Sequence, residues 1–159
     1  MDHMMIEPAR FIASVNASEA VPASEYRFSY VAGSLRSKLP GAPHATEIPF
    51  VFDTVSARYG KDLTPSDERT AQAMLSYWVT FAKTGDPSIG DSPAWPRYSP
   101  ATDILMNFTA DGLVAEADPW KARLDVIAVY VSGFAPPTSP KKSIDAMTAA
   151  RLKMFGHVS

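Results

Sequence analysis

The sequence predicts an α/β fold with an incomplete sheet, in which helices accompany one or two strands of a larger sheet and a small hairpin. Three observations predict it. Residues 25–31 alternate like a strand, residues 64–85 carry the signals of a capped amphipathic helix, and residues 104–116 contain a hairpin turn. Because so few strands accompany this much helix, we expect half of a sheet domain rather than a complete one.

A first helix is predicted over residues 5–18. Glu7 and Pro8 suit its first turn, and an apolar stripe at helical spacing follows them. The stripe consists of Ala9, Ile12, Ala13 and Asn16, with Val15 beside it. We expect this stripe to be the buried face of the helix.

The strand predicted at 25–31 leads into a loop that carries a histidine. Tyr26, Phe28 and Tyr30 share one face of the strand, because successive side chains point to opposite sides. Regular structure is then interrupted by Pro40, Gly41 and Pro43. His44 follows directly, and a loop after a strand can hold an imidazole at the mouth of a pocket.

The clearest helix is predicted over residues 64–85. Thr64 offers an N-cap hydroxyl, Pro65 suits the first helical position, and Asp67 is an acid three residues after the cap. Gly85 provides a C-terminal stop. An apolar stripe runs between these signals through Ala71, Met74, Leu75, Trp78, Phe81 and Ala82. We interpret this stripe, including its two aromatic residues, as core packing.

The remainder of the chain is predicted to hold a hairpin, a closing helix and a tail. Ile104–Phe108 and Leu113–Glu116 are strand candidates joined by a turn at Asp111-Gly112. A helix opens after Asp118-Pro119, and Gly133 ends it. Its buried face is predicted to carry Trp120, Leu124, Ile127 and Val131. We place the main segment at residues 5–136, and a proline-rich linker with a short helical tail of unassigned role at residues 137–159.

Composition excludes several classes of protein. Hydrophobic residues make up 46% and charged residues 20% of the 159, which is ordinary for a globular segment and argues against disorder. The net charge is −2, so no basic face indicates nucleic-acid binding. No apolar run approaches the length of a membrane span, and residues 1–10 hold no signal peptide, although compartment stays undetermined.

His44 is the candidate site residue. The chain has three histidines and no cysteine, and neither His3 nor His157 has a metal-like spacing to His44, so we expect neither a metal site nor a cofactor. The sequence contains no Gly-x-Ser-x-Gly nucleophile elbow and no His-Gly-Gly-Gly oxyanion loop. The chain therefore offers the base of a hydrolase without the rest of the machinery.

Several segments, in order along the chain, resemble the C-terminal part of the type-B carboxylesterases, the α/β-hydrolase family of cholinesterases and bacterial p-nitrobenzyl esterases. The landmarks are Tyr26-Arg27-Phe28-Ser29-Tyr30, Gly41-Ala42-Pro43-His44-x-x-Glu47-Ile48-Pro49-Phe50-Val51-Phe52, Ser76–Pro87 and Trp95-Pro96-x-Tyr98. The resemblance spans residues 6 to about 136. It implies that the residue matching His44 is the general base of a Ser–His–Glu/Asp triad, with the serine and the acid upstream.

Two residues beside His44 are judged from the same resemblance. The family usually has glycine directly after this histidine, where this chain has Ala45, and a positive φ there would strain alanine. Glu47 stands three residues from His44, but the residue that matches it in the family is a structural acid. Weaker acid candidates are Asp53, Asp62 and Asp67, and the serines nearest in sequence are Ser29 and Ser34, neither on a strained elbow.

Three functions follow as hypotheses. The first is a C-terminal piece of a serine carboxylesterase that acts on a small carboxylic ester only when joined to the missing N-terminal part. The second is a self-standing small esterase that has recruited its own serine. The third is a non-catalytic remnant or interaction module. We also expect the chain alone to self-associate, because its apolar stripes suit a larger sheet.

Overall fold

The computed structural model describes residues 2–90 and 92–131. A π-helical turn at Asp2–Ile6 leads into the first α-helix, and short 3₁₀ turns occur at Gly33–Leu35 and Gly60–Asp62. The α-helices are α1 (Glu7–Ser18), α2 (Ile48–Val51), α3 (Val55–Tyr59), α4 (Pro65–Thr84) and α5 (Lys121–Val131). The strands are β1 (Tyr26–Phe28), β2 (Ile104–Thr109) and β3 (Gly112–Ala117).

These elements form two compact units. One unit comprises residues 2–25, 97–104 and 117–131 and contains α1 and α5. The other comprises residues 26–96 and 105–116 and contains β1, α2, α3, α4 and nearly all of the hairpin. The predicted boundary between residues 136 and 137, the tail at 137–159 and the stop at Gly133 lie outside the described residues.

The sheet has three strands in the order β1-β2-β3. β1 runs parallel to β2, with Tyr26 opposite Met106 and Phe28 opposite Phe108. β2 and β3 form the predicted hairpin, but its two turn residues are Ala110 and Asp111. The prediction of an Asp111-Gly112 turn was therefore one position late. Gly112 begins β3 at φ +126°, a backbone angle that glycine adopts without strain.

β1 is shorter than predicted, since the strand expected over residues 25–31 ends at Phe28. The predicted aromatic face is nevertheless correct. The rings of Tyr26, Phe28 and Tyr30 all contact other aromatic rings of the same unit, and Tyr30 is fully buried.

α4 confirms the predicted caps and corrects the predicted buried face. Thr64 and Asp67 form a complete capping box, and Gly85 ends the helix in the left-handed conformation. The fully buried residues of the helix are Ala71, Met74 and Tyr77. Tyr77 was missed because tyrosine was not counted as apolar, and its hydroxyl donates to the Pro93 carbonyl at 2.7 Å. Phe81, predicted to be buried, is 53% exposed.

α1 turns a different face inward from the one predicted. Ile12 is 59% exposed and Ala9 is exposed, whereas Glu7 and Ala13 are buried. The cause is Arg10, whose Nε donates to Asp103 Oδ1 at 3.0 Å and whose Nη2 lies 2.6 Å from Asp125 Oδ1. A charge-assisted network outweighs the burial of a few apolar side chains, so this helix follows Arg10.

α5 begins at Lys121, close to the prediction. Leu124 is fully buried, Ile127 and Val131 are half-buried, and Trp120 lies just before the helix and remains partly exposed. Within the described residues, no helix combines the length and apolar character that crossing a membrane requires.

Candidate functional site

His44 lies at the second position of a four-residue turn. The Thr46 amide donates to the Pro43 carbonyl at 3.3 Å, and the Thr46 hydroxyl donates to the same oxygen at 2.7 Å. These two bonds close the turn around His44 and Ala45. The His44 side chain is exposed, and in the part of the chain that the structure describes no hydrogen bond reaches its imidazole. The base candidate is thus held by its backbone while its ring remains open to a reacting partner.

Ala45 occupies the third position of the same turn with φ +66°. A type II turn requires a positive φ at this position and favours glycine there. In alanine the Cβ crowds the neighbouring carbonyl in this conformation, at a cost of roughly 1–2 kcal/mol. The strain anticipated from the sequence is therefore present.

Substituting Ala45→Gly is expected to increase the free energy of unfolding by about 0.5–1 kcal/mol, because relief of the strain exceeds the added entropy of the unfolded chain. Urea unfolding followed by circular dichroism measures the change. Ala42→Gly is the matched control, since Ala42 has an ordinary negative φ. That control should lose about 0.5 kcal/mol, and a loss at both positions would contradict strain at Ala45.

The turn is anchored to the core through α2. The Glu47 carbonyl accepts hydrogen bonds from the amides of Phe50 and Val51 at 2.9 and 3.0 Å, so α2 follows the turn without a break. Phe50 is fully buried, and its ring centroid lies 5.2 Å from that of Phe28 and 5.4 Å from that of Tyr30. Phe50 therefore fixes α2 on the aromatic face of β1, and α2 fixes the position of His44.

Asp67 is a structural residue rather than a catalytic acid. Its carboxylate is fully buried and accepts four hydrogen bonds: the Tyr30 hydroxyl at 2.8 Å, the Gly33 amide at 2.9 Å, and the Thr64 amide and hydroxyl at 2.9 and 2.7 Å. Burial acts to raise the pKa of Asp67, but these hydrogen bonds outweigh burial and leave the pKa below its usual value. Asp67 thus ties β1 and the loop after it to the start of α4.

A shallow apolar groove of about 440 Å³ lies beside the histidine turn. Its lining consists of Tyr26, Glu47, Ile48, Val51, Phe52, Leu75, Trp78, Val79 and Ala82. Glu47 is the one charged residue of this lining. Burial first, and then the negative charge of Glu47, raises the pKa of the Tyr26 phenol. In the described residues no hydrogen bond or ion pair joins Glu47 to His44, so the structure brings Glu47 to the groove rather than to the imidazole.

The other sequence candidates are not gathered around His44. Asp53 and Asp62 are exposed, Ser29 is exposed beyond the end of β1, and Ser34 lies in the 3₁₀ turn at Gly33–Leu35. No hydrogen bond between His44 and either serine occurs in the described ranges. Across those same ranges, no group of three His, Cys, Asp or Glu side chains could hold a metal ion. Sequence reasoning missed the groove, because its walls come from β1, α2 and α4, which only the fold brings together.

Comparison with known proteins places these features in a family. The sequence pattern of the carboxylesterase family matches residues 1–125. The chain is 31% identical over 98 residues to pyrethroid hydrolase Ces2a of Mus musculus, covering 60% of this chain and 17% of the relative. It is 32% identical over 104 residues to the bile salt-activated lipase of Homo sapiens, covering 64% of this chain and 14% of the relative.

A solved structure shares the fold. The PNB esterase structure is similar with a TM-score of 0.56 and 29% identity, over 67% of this chain and 21% of that chain. The predicted fold class, the C-terminal part of an α/β-hydrolase with an incomplete sheet, is confirmed. This chain spans about a fifth or less of the length of each relative described here.

Proposed function

The chain belongs to the carboxylesterase family, and on this premise we propose that it is the C-terminal portion of a serine carboxylesterase. In this role it supplies His44 as the general base of a Ser–His–Glu/Asp triad. The nucleophilic serine, the triad acid and the oxyanion hole come from an upstream portion of the enzyme. The substrate class is a small carboxylic ester, and no cofactor takes part.

One observation carries the proposal. An exposed imidazole projects from a hydrogen-bonded turn, and that turn is anchored by the fully buried Phe50. General-base catalysis needs an accessible nitrogen held in a fixed direction, because a base that must first be ordered loses the benefit of proximity. A histidine on a mobile surface loop would lack the second property. The turn at Pro43–Thr46 supports both.

The proposed reaction is a two-step acyl transfer. The upstream serine hydroxyl attacks the ester carbonyl while His44 takes its proton, and the imidazolium then protonates the departing alcohol. In the second step His44 removes a proton from water, which attacks the acyl-enzyme and releases the carboxylic acid and the free serine. The upstream acid fixes the tautomer of the imidazole. Each step transfers one proton to or from His44, so the base is regenerated in every turnover.

Glu47 is assigned a structural role in this proposal. Its backbone carbonyl caps the start of α2 and its carboxylate lines the groove, while the described residues contain no bond between it and His44. A triad acid has to accept a hydrogen bond from the imidazole. The acid that orients His44 therefore belongs to the upstream portion.

Residues 1–159 alone are expected to hydrolyse p-nitrophenyl acetate no faster than an equal concentration of free imidazole. Without an elbow serine and oxyanion donors, the covalent route and most transition-state stabilisation are missing. A fluorophosphonate probe should label no serine, as read by intact-protein mass spectrometry.

The same experiment separates the proposal from its alternatives. Stoichiometric labelling of one serine would favour a self-standing small esterase. A non-catalytic remnant would also be unlabelled, but it would stay inactive after fusion to an upstream portion that contains Gly-x-Ser-x-Gly. Sequencing the coding frame that precedes residue 1 shows whether such a portion is encoded there.

A further inference from the structure

β1 has a strand partner on one side. The Ser29 amide donates to the Phe108 carbonyl at 2.9 Å, so the backbone groups of Ser29 face β2. Backbone groups alternate along a strand, and those of Arg27 therefore face β2 as well, while those of Tyr26 and Phe28 face away. In the three-stranded sheet of the described residues, β1 is an outer strand, and no strand pairs with this second edge.

The groove lies beside this edge and is continuous with it. Tyr26 belongs to both: its backbone is part of the edge, and its ring lines the groove and meets the Trp78 ring at 4.9 Å. α4 contributes a second apolar stripe here, separate from its buried face, through Leu75, Trp78, Val79 and Ala82. A helix that is apolar on two sides is characteristic of burial between two layers of protein.

The wall formed by α2 and its end also projects from this surface. Phe52 is 68% exposed and Ile48 is about half exposed, although both line the groove. The same surface therefore offers an apolar knob and an apolar hollow. A surface of this kind is complementary to itself, because a two-fold axis lets the knob of each copy enter the hollow of the other.

From these features we infer that the groove and the open edge of β1 form one docking surface, and that a second copy of this chain occupies it in the 159-residue polypeptide. Each copy inserts Phe52 into the groove of the other, and the two β1 edges pair in the antiparallel sense that a two-fold axis imposes. Glu47 is the one charge in the groove lining, so the contact buries few charges. The inference does not depend on the catalytic role of His44.

The pairing register follows from charge. Centring the two strands on Arg27 would set two guanidinium side chains directly opposite each other, which is unfavourable. Centring them on Phe28 sets each Arg27 opposite Ser29 of the other copy and pairs the outward-facing backbone groups of Phe28 with each other. The Phe28 amide should then be hydrogen-bonded only in the dimer, whereas the Arg27 amide bonds β2 in either state.

The test is sedimentation equilibrium of residues 1–159, together with amide exchange by nuclear magnetic resonance at several concentrations. The chain should be a dimer, and Phe52→Asp should raise its dissociation constant on the order of 100-fold, because a central aromatic is removed twice per dimer. Val126→Asp is the matched control, since Val126 is 69% exposed on α5 and lies outside the groove. It should change the constant less than about threefold.

Amide exchange distinguishes this dimer from unspecific association. Exchange at Phe28 should slow as concentration rises while exchange at Arg27 stays constant. Phe52→Ala, which introduces no charge, provides a second variant and should also weaken the dimer, and unchanged circular dichroism confirms that each variant folds. A monomer at all concentrations, a dimer insensitive to Phe52, or a Phe28 amide indifferent to concentration would each overturn the inference and leave this surface to the upstream portion of the enzyme.

Discussion

Replacing His44 by alanine in the enzyme completed by its upstream portion should lower kcat on the order of 10⁴-fold or more, with a small change in KM. The imidazole acts on protons in both chemical steps, and its loss removes an interaction made mainly in the transition state. Triad residues act as a unit, so the remaining serine and acid cannot compensate. Steady-state hydrolysis of p-nitrophenyl acetate measures the effect.

Two controls make this result specific. Glu47→Gln, three residues away, should lower kcat less than about tenfold, since a structural acid acts only through the position of the turn. Added imidazole should restore part of the activity of His44→Ala, because a small base can occupy the vacated space. A His44→Ala enzyme that retained more than about a tenth of wild-type kcat would exclude His44 as the general base.

Replacing Asp67 by alanine should lower the free energy of unfolding by about 3–5 kcal/mol, measured by urea denaturation of the 159-residue chain. The change removes the acceptor of four hydrogen bonds, leaves buried donors of Tyr30, Gly33 and Thr64 unsatisfied, and abolishes the capping box of α4. Asp62→Asn, at an exposed position, should change stability by less than about 0.5 kcal/mol.

The pH dependence of stability identifies the charge of Asp67 as the cause. Its pKa in the folded state is below the unfolded value of about 4. The carboxylate therefore stabilises the fold fully above the unfolded pKa, and this contribution is lost as pH falls through the lower, folded pKa. Asp67→Asn should flatten the acid limb of stability below about pH 4. An acid limb identical to that of the wild type would assign it to other carboxylates.

The sequence alone determined the elements whose signals are local. The N-cap of α4 at Thr64, the acid at Asp67 and the stop at Gly85 fixed both ends of that helix, because capping depends on residues within one turn. The hairpin was predicted from a short turn between two alternating segments, and its error was one position. The family resemblance was also available from sequence, since ordered motifs such as the His44 segment survive without knowledge of contacts.

Only the tertiary structure decided the features that depend on residues distant along the chain. Arg10 turned α1 away from its apolar stripe because its partner Asp103 lies 93 positions away. Phe50 fixed the His44 turn through rings on β1, and the groove exists because β1, α2 and α4 meet there. The sign of φ at Ala45 likewise follows from closure of the turn onto α2. Periodicity and capping report interactions within about four residues, whereas burial and strain are set by whichever distant surfaces pack together.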